Sequence, residues 1–183
     1  MPDPIKVEDY LKIEQTAHDR NELYEGVLYK LPVTNPNHNS IKFNCFVEIG
    51  LAIKGNSGYY SYSTTQRVSI PEMSFYGYPD VLVVGGRSEI DPLDRDTIKN
   101  PLLICEVFSL ESEFYDSEIK LKIYQAASSI KEYVLVNSYK REIKIWRRRM
   151  AGSWEMFTAN DFIELKSIGI SIPVSDIYSN TDF

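Results

Sequence analysis

The stretch PLLICEVFS, residues 101–109, decides the fold prediction, because it is an apolar run interrupted by a single carboxylate, Glu106. A short apolar run that is bounded by a proline and polar residues is typical of a strand covered on both faces. Burial there raises a carboxyl pKa by as much as about 3 to 5 units, at about 1.36 kcal/mol per unit. A cation, a proton or strong hydrogen-bond donors must therefore lie beside Glu106.

Two further apolar strands and a helix surround this stretch in the sequence. YPDVLVV (78–84) and EYVLVNS (132–138) have the composition of buried strands, and apolar residues recur at helical spacing between Phe114 and Ser129. A helix between two strands connects them across one face of a sheet. The sequence thus predicts an α/β (mixed α+β) fold in which helices flank a central mixed β-sheet.

The other segments predict shorter elements, and no break in composition divides residues 1–183, which we interpret as one domain. We expect an N-terminal helix and hairpin, a loop, a second helix, a strand, a surface connection and two final strands. Their ranges are 7–15 for the helix, 21–32 for the hairpin with its turn at Glu25-Gly26, 32–40 for the loop, 40–54 for the second helix, 58–70 for the strand, 85–100 for the connection, and 141–148 and 153–158 for the final strands.

Composition limits the class of protein. A hydrophobic content of 43% is enough for a core, and the two cysteines, Cys45 and Cys105, lie in apolar segments as small buried side chains would. The first twenty residues hold no apolar leader and no run is long enough to span a membrane, so we expect a cytoplasmic protein without a membrane segment. The net charge of -6 argues against bulk attraction to nucleic acid.

The stretch KREIKIWRRR, residues 140–149, is the one strongly basic segment, with six basic residues and one acid. Lys and Arg on an exposed edge strand discourage aggregation through that edge. We interpret most of these residues as protection of an edge strand, and phosphate contact stays open for a few of them.

The candidate chemistry rests on two acids in two neighbouring strands, Asp80 and Glu106. If the strands pair, the carboxylates converge and repel, and the remedies are a shared proton or a hard divalent cation with oxygen ligands. Magnesium suits this arrangement best. Lys120, on the following helix, is a candidate third member, although Asp116 and Lys120 are also spaced as a simple surface ion pair. Serine-triad, Walker, zinc-protease and paired C-x-x-C patterns are absent from the sequence.

Taken together, YPDVLVV, LLICEVFS and YDSEIKLKIYQAASSIKEYVLVNS resemble the Uma-type restriction endonucleases, a branch of the PD-(D/E)XK nuclease superfamily. The resemblance extends to the hairpin, to the NPNHNS loop with its His38, and to LKSIGISIPVSDIY near the end of the chain. It implies a restriction-endonuclease-like fold in which Asp80 and Glu106 bind Mg²⁺, with Mn²⁺ as a substitute, and act in catalysis.

The resemblance also assigns the remaining site residues. Phe108 stands where the superfamily usually has its lysine, and the family places that lysine on the next helix, in a D-x-x-x-K-x-x-x-Y segment that Asp116, Lys120 and Tyr124 match. Lys122 lies about 200° around a helix from Lys120 and should face solvent. Glu22 matches the first acid of an E-L-x-x-G segment, where it would hold a water or position Lys120.

The implied function is that of a magnesium-dependent endodeoxyribonuclease, a hydrolase of DNA phosphodiester bonds, acting as a homodimer because cutting two strands commonly needs two sites. The alternative is an inactive nuclease-like scaffold that binds protein or nucleic acid. The family pattern usually has Asp and Glu where this chain has Glu25 and Val27, and often Pro where it has Leu110, which affects the entrance loops more than the acids. The residues do not define the recognition sequence, a partner methylase or the biological role.

Overall fold

The computed structural model describes residues 3–31, 34–56 and 58–183. These residues form four α-helices, a 3-10 turn at Pro71–Met73, a π-helical segment at Tyr115–Lys120 and fourteen strands. The helices are α1 (Val7–Thr16), α2 (Pro36–Ile53), α3 (Leu121–Ala126) and α4 (Val174–Ile177). The strands are β1 (Asn21–Tyr24), β2 (Val27–Lys30), β3 (Tyr59–Ser63), β4 (Arg67–Ile70), β5 (Phe75–Gly77), β6 (Val81–Gly85), β7 (Ile90–Asp91), β8 (Asp94–Ile98), β9 (Leu103–Phe108), β10 (Glu132–Asn137), β11 (Ile143–Arg148), β12 (Trp154–Thr158), β13 (Phe162–Leu165) and β14 (Ile170–Pro173).

The central sheet has the order β12-β11-β10-β9-β6-β3 and confirms the predicted mixed α+β architecture. Strands β9 and β10 are parallel, joined by the π-helical segment and α3, and the other neighbours are antiparallel. Strands β9 and β10 are buried along their whole length, as their continuous apolar sequence predicts.

The two faces of this sheet carry separate cores, because side chains alternate along each strand. Cys105 and Val107 of β9 pack on the face covered by α2, whereas Ile104 and Phe108 pack on the face covered by α3. The strand alternation therefore directs Glu106 into the α3 layer.

A second six-stranded sheet, in the order β2-β1-β5-β4-β8-β7, corrects two predictions. The predicted strand 58–70 is divided by a turn into β3 and β4, which belong to different sheets. The predicted surface connection 85–100 contains β7 and β8, and β8 pairs with β4. The segment is polar because its strands lie at or next to the edge of the second sheet, not because it forms a loop.

The second helix begins earlier than the sequence predicts. α2 starts at Pro36, whose fixed φ suits the first helical turn, and the Asn35 side chain accepts a hydrogen bond from the His38 backbone N–H as the N-cap. The predicted loop 32–40 is therefore helical from Pro36 onward, and its residues Pro32 and Val33 lie outside the described residues. This shift places His38 on the same helix as Lys42.

The basic stretch is not an edge strand, so that interpretation is wrong. β11 lies between β10 and β12. Arg147 Nε donates to Glu132, Arg148 donates to the carbonyls that end α3, and Arg149 forms an ion pair with Glu155. Most of this positive charge serves the fold.

The remaining elements complete the packing around the central sheet. The β13-β14 hairpin and α4, which the sequence analysis did not predict, cover the α2 face with Ile163, Ile172 and Ile177. Cys45 and Cys105 are buried and unpaired, as predicted. Within the described residues, none of the helices combines the length and apolar character that a membrane crossing requires.

Candidate active site

Strand pairing brings Asp80 and Glu106 together, as the sequence predicts. β6 and β9 pair with Val81 opposite Cys105, so the next pair in the same register is Asp80 opposite Glu106. The Asp80 N–H donates to Glu106 Oε2 at 3.2 Å, and the Val107 N–H donates to Asp80 Oδ2 at 2.8 Å. The two residues are only 9% and 3% exposed, so their carboxylates are largely shielded from solvent.

Lys120 reaches this pair from the π-helical segment. Its Nζ lies 3.0 Å from Glu106 Oε1, 3.1 Å from Glu22 Oε1 and 3.4 Å from Asp116 Oδ1. Lys120 and Asp116 are both buried, so the alternative of a simple surface ion pair is wrong. Lys122 is exposed, as its position on the helix predicts.

The segment from Asp116 to Tyr124 places three polar side chains in one layer. Tyr124 Oη donates to Glu106 Oε1 at 2.9 Å, and Tyr133 Oη donates to the Asp116 carbonyl at 2.9 Å. The π-helical turn has a wider repeat than an α-helix, which changes the faces that successive residues occupy, and such turns are frequent at functional sites. Phe108, at the usual lysine position, is buried against Tyr139.

Glu22 joins the cluster from β1 in the second sheet. It is fully buried, and its Oε1 accepts a hydrogen bond from the Tyr78 N–H at 3.0 Å and forms an ion pair with Lys120 Nζ. Its Oε2 has no hydrogen-bond partner within the described part of the chain. Glu22 thus contacts Lys120 from the second sheet through one carboxylate oxygen.

Helix α2 supplies two groups that the sequence analysis did not assign to the acids. Lys42 Nζ lies 3.6 Å from Asp80 Oδ1. His38 Nε2 donates to the Val107 carbonyl at 2.6 Å, and burial lowers the pKa of this imidazole, which favours its neutral form. The backbone of Val107 is thus held on both sides of its Cα, with its N–H on Asp80 and its C=O on His38.

The cluster holds more negative than positive charge. Burial raises the pKa of Glu106 well above its usual range, against the opposing effect of Lys120, and burial raises that of Asp116 to about 6. Burial alone would lower the pKa of Lys120, but the surrounding carboxylates, Glu106 first, raise it well above its usual range. If all four carboxylates, Asp80 and Glu22 included, are ionised, they face two ammonium groups, Lys42 and Lys120, which leaves a formal excess of two negative charges.

The donor set fits a hard divalent cation. A cavity of about 130 Å³ adjoins the acids and is lined by Asp80, Glu106, Lys42 and Lys120, among others. The described residues contain no group of three or more His, Cys, Asp or Glu side chains that could enclose an ion. Mg²⁺ commonly takes one or two carboxylates and completes its shell with water and substrate phosphate, whereas structural zinc needs four nitrogen or sulfur ligands. The residues present therefore fit Mg²⁺ or Mn²⁺ held by Asp80 and Glu106.

Comparisons with known proteins identify the family of the chain. The family model described as "Uma2: Putative restriction endonuclease" matches residues 7–175. The chain belongs to the Uma2 family. Two Synechocystis proteins described as uncharacterized are similar: slr1290 is 30% identical over 98% of this chain and 94% of its own length, and sll1609 is 26% identical over 88% and 93%.

A solved structure confirms the restriction-endonuclease-like fold. It is the crystal structure from Anabaena variabilis described as "a putative nuclease belonging to DUF820", with a TM-score of 0.76 and 17% identity over 96% of this chain and 98% of that one. At this identity the likeness concerns the fold alone. The Uma2 chain thus shares its whole architecture with that protein.

Sequence reasoning brought together Asp80, Glu106, Lys120 and Glu22, and the structure places all four within one cluster. It missed Lys42 and the contact that His38 makes with Val107. One available signal was the i, i+4 spacing of His38 and Lys42, which puts both side chains on the same face of a helix. The signal is weak because the Pro and Asn residues around His38 also predict a loop.

Proposed function

We propose that this Uma2 protein is a magnesium-dependent endodeoxyribonuclease that hydrolyses DNA phosphodiester bonds. The observation that carries the proposal is the charge of the buried cluster, where four carboxylates face two ammonium groups. The excess equals the charge of one divalent cation. A fold without a ligand gains no stability from such an excess, because uncompensated buried charge is costly.

Asp80 and Glu106 would hold the cation, with Mn²⁺ as a possible substitute for Mg²⁺. When bound, the cation supplies Lewis-acid polarisation of a phosphoryl oxygen and lowers the pKa of water at the site. Lys120 places its ammonium where negative charge develops as a water oxygen attacks phosphorus and the P–O ester bond breaks. Glu22 and Asp116 keep Lys120 in place, and the His38 contact fixes the carbonyl of Val107, the residue after Glu106.

The proposal includes a homodimer, because two sites would cut the two strands of a duplex. This part rests on the family and is tested separately, by light scattering of the purified protein over a range of concentrations. A constant monomer mass would remove the homodimer and leave the hydrolytic site unaffected.

The hydrolytic site is tested first by metal binding. A ligand that binds only the folded state must raise its stability. We expect MgCl₂ or MnCl₂ to raise the melting temperature of the wild type relative to EDTA, and Asp80→Asn to remove most of that rise. An unchanged melting temperature would favour the alternative of an inactive scaffold.

Cleavage is tested on supercoiled plasmid at low salt with Mg²⁺. We expect nicking by the wild type and a loss of at least about 100-fold in Asp80→Ala and Lys120→Ala, as is typical for removal of a group that stabilises transition-state charge. Lys122→Ala is the matched control, because this exposed lysine lies on the same helix. Equal nicking by all four proteins would indicate a contaminant and contradict the proposed site.

A further inference from the structure

An aromatic pocket adjoins the candidate active site. It has a volume of about 340 Å³ and lies between the end of β2 and the start of the π-helical segment, with Tyr29, Phe114 and Tyr115 as its aromatic members. Leu31, Ser112 and Tyr115 line both this pocket and the cavity beside the acids. A group bound in the aromatic pocket would therefore be a direct neighbour of a group bound at the acids.

The aromatic side chains offer flat surfaces. Tyr29 and Tyr115 are stacked, with ring centroids 4.9 Å apart and an interplanar angle of 24°. The Tyr115 ring also lies 5.4 Å from Lys120 Nζ, so the stack begins at the active site itself. Phe114 is 70% exposed, so its ring can be reached by a ligand in the pocket.

The charge around the pocket favours a neutral ligand. Lys30, at one wall, is paired with Asp19 at 2.7 Å, and Glu111, at the rim, is exposed. No surplus of positive charge is left there to attract a phosphate. A flat group without charge suits the pocket better.

The net charge of the protein and its basic stretch offer little bulk attraction to a DNA backbone. The net charge is -6, and Arg147, Arg148 and Arg149 of the basic stretch are engaged within the protein. Contacts to many phosphates of a duplex, with release of their counterions, should therefore contribute little binding affinity for this chain. Base stacking on aromatic side chains is another source of binding affinity, and it does not depend on the net charge of the protein.

We propose that the aromatic pocket binds an unstacked nucleobase, so that the substrate is DNA that is single-stranded or locally unpaired beside the scissile phosphate. This inference rests on the proposed function, because it assigns the phosphate to the neighbouring acids. In an intact duplex both faces of each base are already stacked, so only an unpaired or displaced base has a face to offer to Phe114 and the tyrosine pair.

Binding is tested with a single-stranded oligonucleotide that carries one 2-aminopurine, whose fluorescence is quenched on stacking, with Ca²⁺ in place of Mg²⁺. We expect quenching by the wild type and a dissociation constant about 5- to 150-fold higher in Phe114→Ala, the range that loss of one stacked base gives. Phe114→Leu, which keeps apolar surface without a ring, should resemble Phe114→Ala. Phe162→Ala is the matched control, because Phe162 is also exposed but lies on β13, outside this pocket.

Three outcomes would overturn the inference: equal affinity for a blunt duplex and for a single strand of the same sequence, unchanged binding by Phe114→Ala, or the absence of DNA binding. Concentration-dependent self-association that Phe114→Ala abolishes would assign the pocket to a second copy of the chain instead. A cleavage assay with Mg²⁺ separates the two proposals. Stacking without cleavage would contradict the proposed function alone, whereas cleavage of duplex and unpaired DNA at equal rates would contradict the inference alone.

Discussion

Two buried glutamates on neighbouring strands of the central sheet have very different surroundings. Glu132 begins β10 and is fully buried, as Glu106 nearly is on the adjacent β9. Arg147 Nε donates to Glu132 at 2.6 Å, and the backbone N–H groups of Lys166 and Ser167 donate to it at 3.1 and 2.8 Å. Glu132 has one cation and several donors of its own.

Glu106 shares its cation. Lys120 serves Glu106, Glu22 and Asp116 together, and Asp80 lies directly opposite. Burial raises the pKa of Glu106, whose charged form is poorly supported without a further positive charge. The comparison shows that a buried carboxylate is not by itself a sign of function. A group of buried carboxylates that outnumber the cations in contact with them is a sign of function.

The largest effect is expected from removal of the shared cation. Lys120→Met should destabilise the metal-free protein by about 3 to 5 kcal/mol at pH 7, because three buried carboxylates then lose their partner. Without Lys120 the acids bind protons more readily in the folded state than in the unfolded state, so the loss should shrink as the pH falls toward 4. Denaturant unfolding in EDTA between pH 4 and pH 7 measures this. A loss that does not change with pH would show that the acids do not share Lys120.

Removing the charge of Glu132, which has its own cation and donors, should have a smaller effect on stability. Glu132→Gln should destabilise the protein by about 2 to 4 kcal/mol, because charge-assisted hydrogen bonds are lost and Arg147 keeps its charge without a carboxylate. The rise in melting temperature that Mg²⁺ causes should stay as in the wild type. Thermal melting with MgCl₂ and with EDTA checks both points, and a reduced Mg²⁺ effect would mean that Glu132 belongs to the functional cluster.

Sequence predicted the strands that carry the acids, because their signals are local. Apolar runs defined β6, β9 and β10, and the register of β6 with β9 then placed Asp80 opposite Glu106. The hairpin followed in the same way from Glu25 and Gly26, which take φ values of 49° and 78° as a tight turn requires.

The rest could not be predicted, because it depends on contacts between distant segments. Nothing in the sequence around Glu132 shows that Ser167, far along the chain, supplies its donors. The π-helical turn at Tyr115–Lys120 leaves no periodic signal in so short a segment, yet it lies where Asp116 and Lys120 face the acids. The strands β7 and β8 are polar and were interpreted as a loop, because their pairing with β4 depends on tertiary structure.

The smallest expected effect is a gain in stability, and it distinguishes the acid cluster from the surroundings of Glu132 most directly. Burial raises the pKa of Asp116 to about 6 from its usual 3.8, so the folded state prefers the neutral carboxyl. The stability that this group contributes is therefore full below about pH 4 and is lost as the pH rises through 6. Asp116→Asn cannot ionise and should be more stable than the metal-free wild type at pH 7. A shift of about two units sets an upper limit of about 3 kcal/mol on this gain, because the attraction of Lys120 is already part of that shift.

The measurement is unfolding in EDTA at several values between pH 4 and pH 7. The advantage of Asp116→Asn should be near zero at pH 4 and should grow through pH 6. Glu132→Gln serves as the control, because it should be less stable than the wild type at pH 7 although it also removes one buried negative charge. If both Asp116→Asn and Glu132→Gln destabilised the protein at pH 7, the positive charges and donors around the acid cluster would compensate its carboxylates as well as those around Glu132 do. The charge argument for a bound divalent cation would then fail.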